Sequence, residues 1–155
     1  MNIKSLILTF IGFSSMGATA QIGQKLAECV TVLGVPVKEF NAESPPTKIF
    51  IKESIQAQIT FESGVAAAGV YHVAELRNWA KQAISDEQLK TILKWSGIAA
   101  GDLVAENFKD FPELDGVYKK TRDGKLLITH DKRKNIVAVT DYNLFLKYVK
   151  IHKKP

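Results

Sequence analysis

One cysteine, five prolines and ten glycines are spread over 155 residues, and each scarcity excludes something. A single cysteine rules out an intramolecular disulfide framework and any cysteine-rich zinc site. So little glycine and proline is incompatible with a fibre, and a 46% hydrophobic content is too high for a disordered chain. Beyond residue 20 no run is long and apolar enough to span a bilayer. G-x-S-x-G, H-E-x-x-H and a phosphate-cradling glycine loop are all missing. His72, His130 and His152 are scattered, whereas metal ligands on helices or strands usually recur within roughly two to five residues. Asp102, Glu106, Asp110, Glu113 and Asp115 lack the spacing of a calcium loop and read as a solvated acidic linker. The sequence therefore supplies no catalytic residue, no cofactor-binding residue and no metal ligand. A non-enzymatic protein without a cofactor is expected.

What is present begins with a leader. Lys4 precedes the apolar run Leu6 to Phe13, and small residues lead to Ala18-Thr19-Ala20, an A-x-A pattern suited to signal peptidase. Residues 1–20 thus read as a signal peptide, with cleavage between Ala20 and Gln21 and a secreted or periplasmic mature chain. The apolar run is too short for a membrane anchor and stops at Ser14-Ser15.

Residues 21–155 read as one α+β domain of ordinary size. Leu26, Cys29, Val30 and Leu33 recur at helical spacing within residues 24–33, and Gly34 and Pro36 stop that helix. Alternation predicts strands over 48–52, 55–61 and 65–71, with Ser63-Gly64 as a turn. Residues 72–82 read as irregular or weakly helical. Ser85 is an N-cap, because its hydroxyl can accept from a free first-turn amide. Asp86 and Glu87 suit the positive dipole end, Leu89, Ile92 and Leu93 form the stripe, and Gly97 ends the helix. Strands follow over 117–121, 125–130 and 136–140, the first two joined by an Asp123-Gly124 hairpin turn. Asp141 caps a last segment in which Leu144, Phe145, Tyr148, Val149 and His152 share one helical side; residues 144–151 also fit a strand, and helix is favoured.

A helix and three strands, repeated, suggest halves at 21–83 and 84–155, although two similar blocks can also arise by chance. Ile22-Gly23 with Leu33-Gly34-Val35-Pro36, and Ile84 to Leu89 through Arg122-Asp123-Gly124-Lys125, resemble small exported bacterial proteins of repeated helix-plus-β-meander modules. The layout is similar to that of the β-lactamase-inhibitor-protein-like modules and the small outer-membrane assembly lipoproteins. That resemblance implies an exported protein that binds another exported or envelope protein through its sheet face. The chain lacks the lipidated cysteine of the lipoproteins and the paired cysteines of the inhibitor modules, so no binding residue carries over. Phe50, Phe61, Tyr71 and Tyr118 are the aromatics that a free sheet face would present, or else core residues.

Charge is unevenly divided. Residues 21–118 hold nine Lys or Arg against thirteen Asp or Glu, net −4, whereas residues 119–155 hold eleven against three, net +8. Lys132, Arg133 and Lys134 on a hairpin, with Lys147, Lys150, Lys153 and Lys154 near the C-terminus, are the candidate contacts to a polyanion or anionic surface. Solvated lysines that favour a helix C-terminus and keep the protein soluble are the plainer account. Cys29, on an apolar stripe, reads as a core residue rather than a reactive thiol.

Overall fold

In the computed structural model, which describes residues 22–40, 45–74, 82–108 and 117–152, a helix followed by four strands occurs twice before a last helix. The first run is α1 (Leu26–Leu33), β1 (Lys38–Phe40), β2 (Thr47–Lys52), β3 (Ile55–Glu62) and β4 (Val65–Val73). The second is α2 (Asp86–Trp95), a 3-10 turn (Ala100–Asp102), β5 (Leu103–Glu106), β6 (Tyr118–Thr121), β7 (Leu126–Asp131) and β8 (Ile136–Asp141), and α3 (Tyr142–His152) follows. These elements make an α+β fold with one eight-stranded antiparallel sheet in the order β1-β2-β3-β4-β8-β7-β6-β5. The two runs meet along β4 and β8, and β1 and β5 are the edges. The leader with Ala20 and Gln21, residues 75–81, most of the acidic linker (109–116) and Lys153 and Lys154 lie outside the described residues.

Each run has four strands where alternation predicted three. The additions are the two edges, and their sequences explain the error. Lys38-Glu39-Phe40 is short and polar, and Leu103 to Glu106 is only partly covered, so neither shows a buried face alternating with a wet one. Helix α1 starts at Leu26 rather than Gln24 because the preceding backbone is committed to β4. Gly23 N donates to Ala66 O (2.6 Å), and Ala66 N donates to Gln24 O (2.8 Å). Gly34, at φ +87°, ends α1 in a conformation that favours glycine. In α2 the Ser85 hydroxyl accepts from Gln88 N (3.2 Å), while the Gln88 side-chain oxygen accepts from Ser85 N (3.0 Å), a reciprocal capping box. Asp141 opens α3 by accepting from Leu144 N at 2.8 Å.

Strand register sorts the side chains onto two faces. Phe50, Ala57, Tyr71 and Val137 are successive partners across β2, β3, β4 and β8, and all are buried. They pack with Cys29 and Leu33 of α1 and Ile92, Leu93 and Trp95 of α2, so both helices cover this face. Each large side chain fully buried there contributes about 1.5–3 kcal/mol. Lys52 belongs to the same face: its ammonium donates to the Val32 carbonyl and lies 5.9 Å from the Trp95 ring centroid. Gly69 leaves room for the Tyr71 ring, since a Cβ at that position would stand 2.8 Å from the Tyr71 hydroxyl.

Helix α3 covers part of the other face. Phe145 lies 5.4 Å from Phe108 and 6.2 Å from Tyr118, ring centroid to centroid, and Phe108 meets Tyr118 edge-on at 5.1 Å. Phe50, Phe61 and Tyr71 are therefore core residues beneath α1 and α2, and Tyr118 packs against the Phe108–Phe145 cluster. The aromatic contact face expected of these four does not form. Rings bury more apolar area than most side chains, and alternation delivers the first three to the helix-covered side.

Candidate functional site

The β7–β8 hairpin carries Lys132, Arg133 and Lys134 at its tip, and its shape is set by Asp131. The Asp131 carboxylate accepts from Arg133 N (3.0 Å) and Lys134 N (3.1 Å), while Asn135 takes a left-handed φ of +55°. Those backbone amides, Lys134 first, hold the Asp131 carboxyl below its usual range, helped by the nearby Lys134 and Arg133 charges. Lys134 also pairs with Asp131 (3.7 Å). Anchored at its base, the tip presents all three basic side chains to solvent.

Helix α3 runs toward the same end and carries a second basic group. Its first ring, Tyr142, lies 5.5 Å from the ammonium of Lys120, whereas Phe145 sits beside Tyr118. Lys120 is the register partner of Leu127, and Tyr118 that of Thr129, two residues nearer the hairpin. The chain therefore reverses at Asp141, and α3 runs back along the sheet toward residues 132–134. Eleven helical residues advance about 16 Å and six strand residues about 20 Å, so α3 ends near the hairpin level. Lys147 and Lys150 are exposed on this returning segment, and the chain continues to Lys153 and Lys154 beyond the described residues.

Between hairpin and helix lies an open cleft of about 780 Å³. Val117, Tyr118, Ile136, Ala138 and Phe145 supply apolar wall, and Lys132, Arg133 and Lys134 stand at its edge. Four lysines elsewhere are paired, Lys48 with Glu39 (2.9 Å), Lys90 with Glu87 (2.7 Å), Lys120 with Glu106 (2.6 Å) and Lys125 with Asp123 (3.3 Å), whereas Lys25, Lys38, Lys52, Lys94 and Lys119 have no such ion pair among the described residues. Lys132, Lys147 and Lys150 have no ion pair of this kind among the described residues. The structure thus places Lys132, Arg133 and Lys134 together in this cleft, whereas Lys147 and Lys150 line a separate shallow depression with Asn143 and Leu146 on α3.

Two neighbours at that end were not foreseen. Val117 and Tyr148 are each 63% exposed, although helical spacing grouped Tyr148 with Phe145 and Val149. Val149 is buried one position further on, so Tyr148 lies on the flank of the stripe rather than its centre.

Of the other titratable candidates, His130 lines this cleft, whereas Cys29, Tyr71 and His72 do not. Cys29 is fully buried, and burial with the adjacent Glu28 charge pushes its thiol up to about 11, far from a reactive thiolate. Burial raises Tyr71 to about 12 against the opposing Ser96 hydroxyl, and burial lowers His72. His130, on the helix-covered side of β7, is lowered by burial and by Lys132, with Asp131 and Asp86 opposing. His152 is the last residue of α3. Among the described residues no three His, Cys, Asp or Glu side chains are grouped to hold a metal. Arg122-Asp123-Gly124 is the expected tight turn: Asp123 accepts from the Thr121 hydroxyl (2.6 Å) and from Lys125 N (3.1 Å). A second cleft, of about 650 Å³, lies at that opposite end and mixes Asp102, Asp123 and Asp141 with Arg122 and Lys125.

No family model and no curated protein matches the chain. Among solved structures it is similar to a cysteine-rich secretory protein of Staphylococcus aureus, with a TM-score of 0.40 and 8% identity over 80% of this chain and 46% of that one. The chain thus spans less than half the length of that protein. Likeness of this order says nothing about what either protein binds.

Proposed function

We propose that this is an exported, non-enzymatic binding protein whose basic end holds an anionic component of the cell envelope. One observation carries the reading: α3 returns along the sheet toward the Lys132-Arg133-Lys134 hairpin, so its second half, which bears Lys147 and Lys150, lies on the hairpin side of Phe145. Three cationic side chains share the hairpin tip, and two more stand on the helix that runs toward it. Lysines that merely kept the protein soluble would need no such gathering. The positive field of the cluster attracts and orients a polyanion, with release of its counterions as the driving term. Export rests on the Lys4, apolar-run and Ala18-Thr19-Ala20 pattern of residues 1–20. No helix of the described residues is long and apolar enough to cross a membrane.

The test is salt-dependent retention of the purified protein on immobilised heparin, used as a soluble-polyanion mimic. Retention that persists beyond about 0.15 M ionic strength, where exposed charges are screened within about 8 Å, supports a built site. Elution below that strength means nonspecific attraction, and failure to bind at low salt ends the reading.

A further inference from the structure

We infer that the basic end docks on an anionic phospholipid surface, an identification that rests on the anionic reading above and names its ligand. The distinguishing feature is apolar. Val117 and Tyr148 are each 63% exposed; Val117 lines the cleft with Lys132, and Tyr148 stands on α3 beyond Phe145, on the part of the helix that runs toward the hairpin. Val117 precedes Tyr118 on β6 and lines the cleft together with the hairpin lysines. Tyr148 lies three residues beyond Phe145, on the flank of α3 as it returns to the hairpin. A soluble anionic polymer gains nothing from these side chains, whereas a bilayer takes both. A tyrosine ring settles at headgroup depth, valine enters the acyl boundary, and lysines reach phosphate while their stems stay in apolar surroundings.

Charge complementarity fits the same occupant. Residues 21–118 are net −4 and residues 119–155 net +8, so an anionic leaflet attracts the C-terminal part of the chain that holds the hairpin and α3. The cleft offers a headgroup a seat with cationic rim and apolar wall, its wall made by Tyr118, Ile136, Ala138 and Phe145. Helix α3 therefore serves two purposes, packing its Phe145 side on the sheet and carrying Tyr148, Lys147 and Lys150 to the surface.

The experiment is flotation of the purified protein with vesicles of phosphatidylglycerol and phosphatidylcholine, compared with phosphatidylcholine alone and with heparin binding. The protein is expected to float with the mixed vesicles and not with neutral ones. Lys147→Gln and Lys150→Gln should each weaken vesicle binding by about five-fold. A Val117→Ser/Tyr148→Ala variant, altered only at exposed positions, should lose about ten-fold on vesicles while heparin binding is unchanged. Circular dichroism confirms that the variant is folded. Binding to heparin with no preference for anionic vesicles overturns the lipid inference and leaves the anionic reading standing. So does vesicle binding that is indifferent to Val117 and Tyr148, which assigns the attraction to charge alone. Failure to bind either partner at low salt overturns both.

Discussion

Gly69 and Tyr71 lie two residues apart on the same face of β4, and the tyrosine ring occupies the space that a side chain at 69 would need. In Gly69→Ala the new methyl would stand 2.8 Å from Tyr71 Oη, 2.9 Å from Cε2 and 3.0 Å from Cζ. The ring is 1% exposed and cannot swing into solvent, so either the ring or β4 must move. Overpacking of this kind costs about 1–3 kcal/mol, while removing a strand glycine returns about 0.5–1 kcal/mol of backbone entropy. The balance is a destabilisation of about 1–2 kcal/mol. Urea unfolding followed by circular dichroism should show a lower midpoint with an unchanged slope. In a Tyr71→Leu background the same change should become neutral or stabilising, which gives a coupling of at least about 1 kcal/mol. A Gly69→Ala single variant as stable as the parent would refute the packing argument.

Two other outcomes follow from buried groups. Cys29, fully enclosed and with its thiol raised to about 11, should resist a thiol reagent in the native protein and react at once in urea; rapid native labelling would contradict its place in the core. His72 is held below its ordinary value by burial, so as pH falls below about 6.5 the unfolded chain takes up the proton first. Stability should accordingly be full above that pH and decline as the pH falls below it, and His72→Gln should flatten the decline. Equal slopes in parent and variant would show that His72 does not carry it.

Local chemistry made much of the fold legible. Ser85 as an N-cap, Gly34, Asp123-Gly124 and the strict alternation of Ile55 to Phe61 each act within a few residues, and each formed the structure its chemistry favours. Strands β1 and β5 escaped because an edge strand is paired on one side only and carries too little burial to pattern its sequence. The candidate site was legible only as a composition. Lys132 to Lys134 and Lys147 to Lys150 are separated by a strand and a reversal at Asp141, and nothing local dictates which way α3 then runs. That direction comes from Phe145 finding Phe108 and Tyr118, a packing choice made between distant segments. The exposure of Tyr148 has the same origin, since it depends on how α3 is rotated on the sheet.

Whether hairpin and helix form one basic site is tested most directly by the salt dependence of heparin affinity. Replacing Lys132, Arg133 and Lys134 by glutamine, or separately Lys147 and Lys150, should in each case reduce the slope of log affinity against log salt, by up to about 0.9 for each anionic group that the variant no longer neutralises. Lys25 and Lys125, at the opposite end of the sheet, should be replaceable without effect. A slope that responds to only one of the two clusters, or equally to Lys25 and Lys125, would contradict a single site built from both elements.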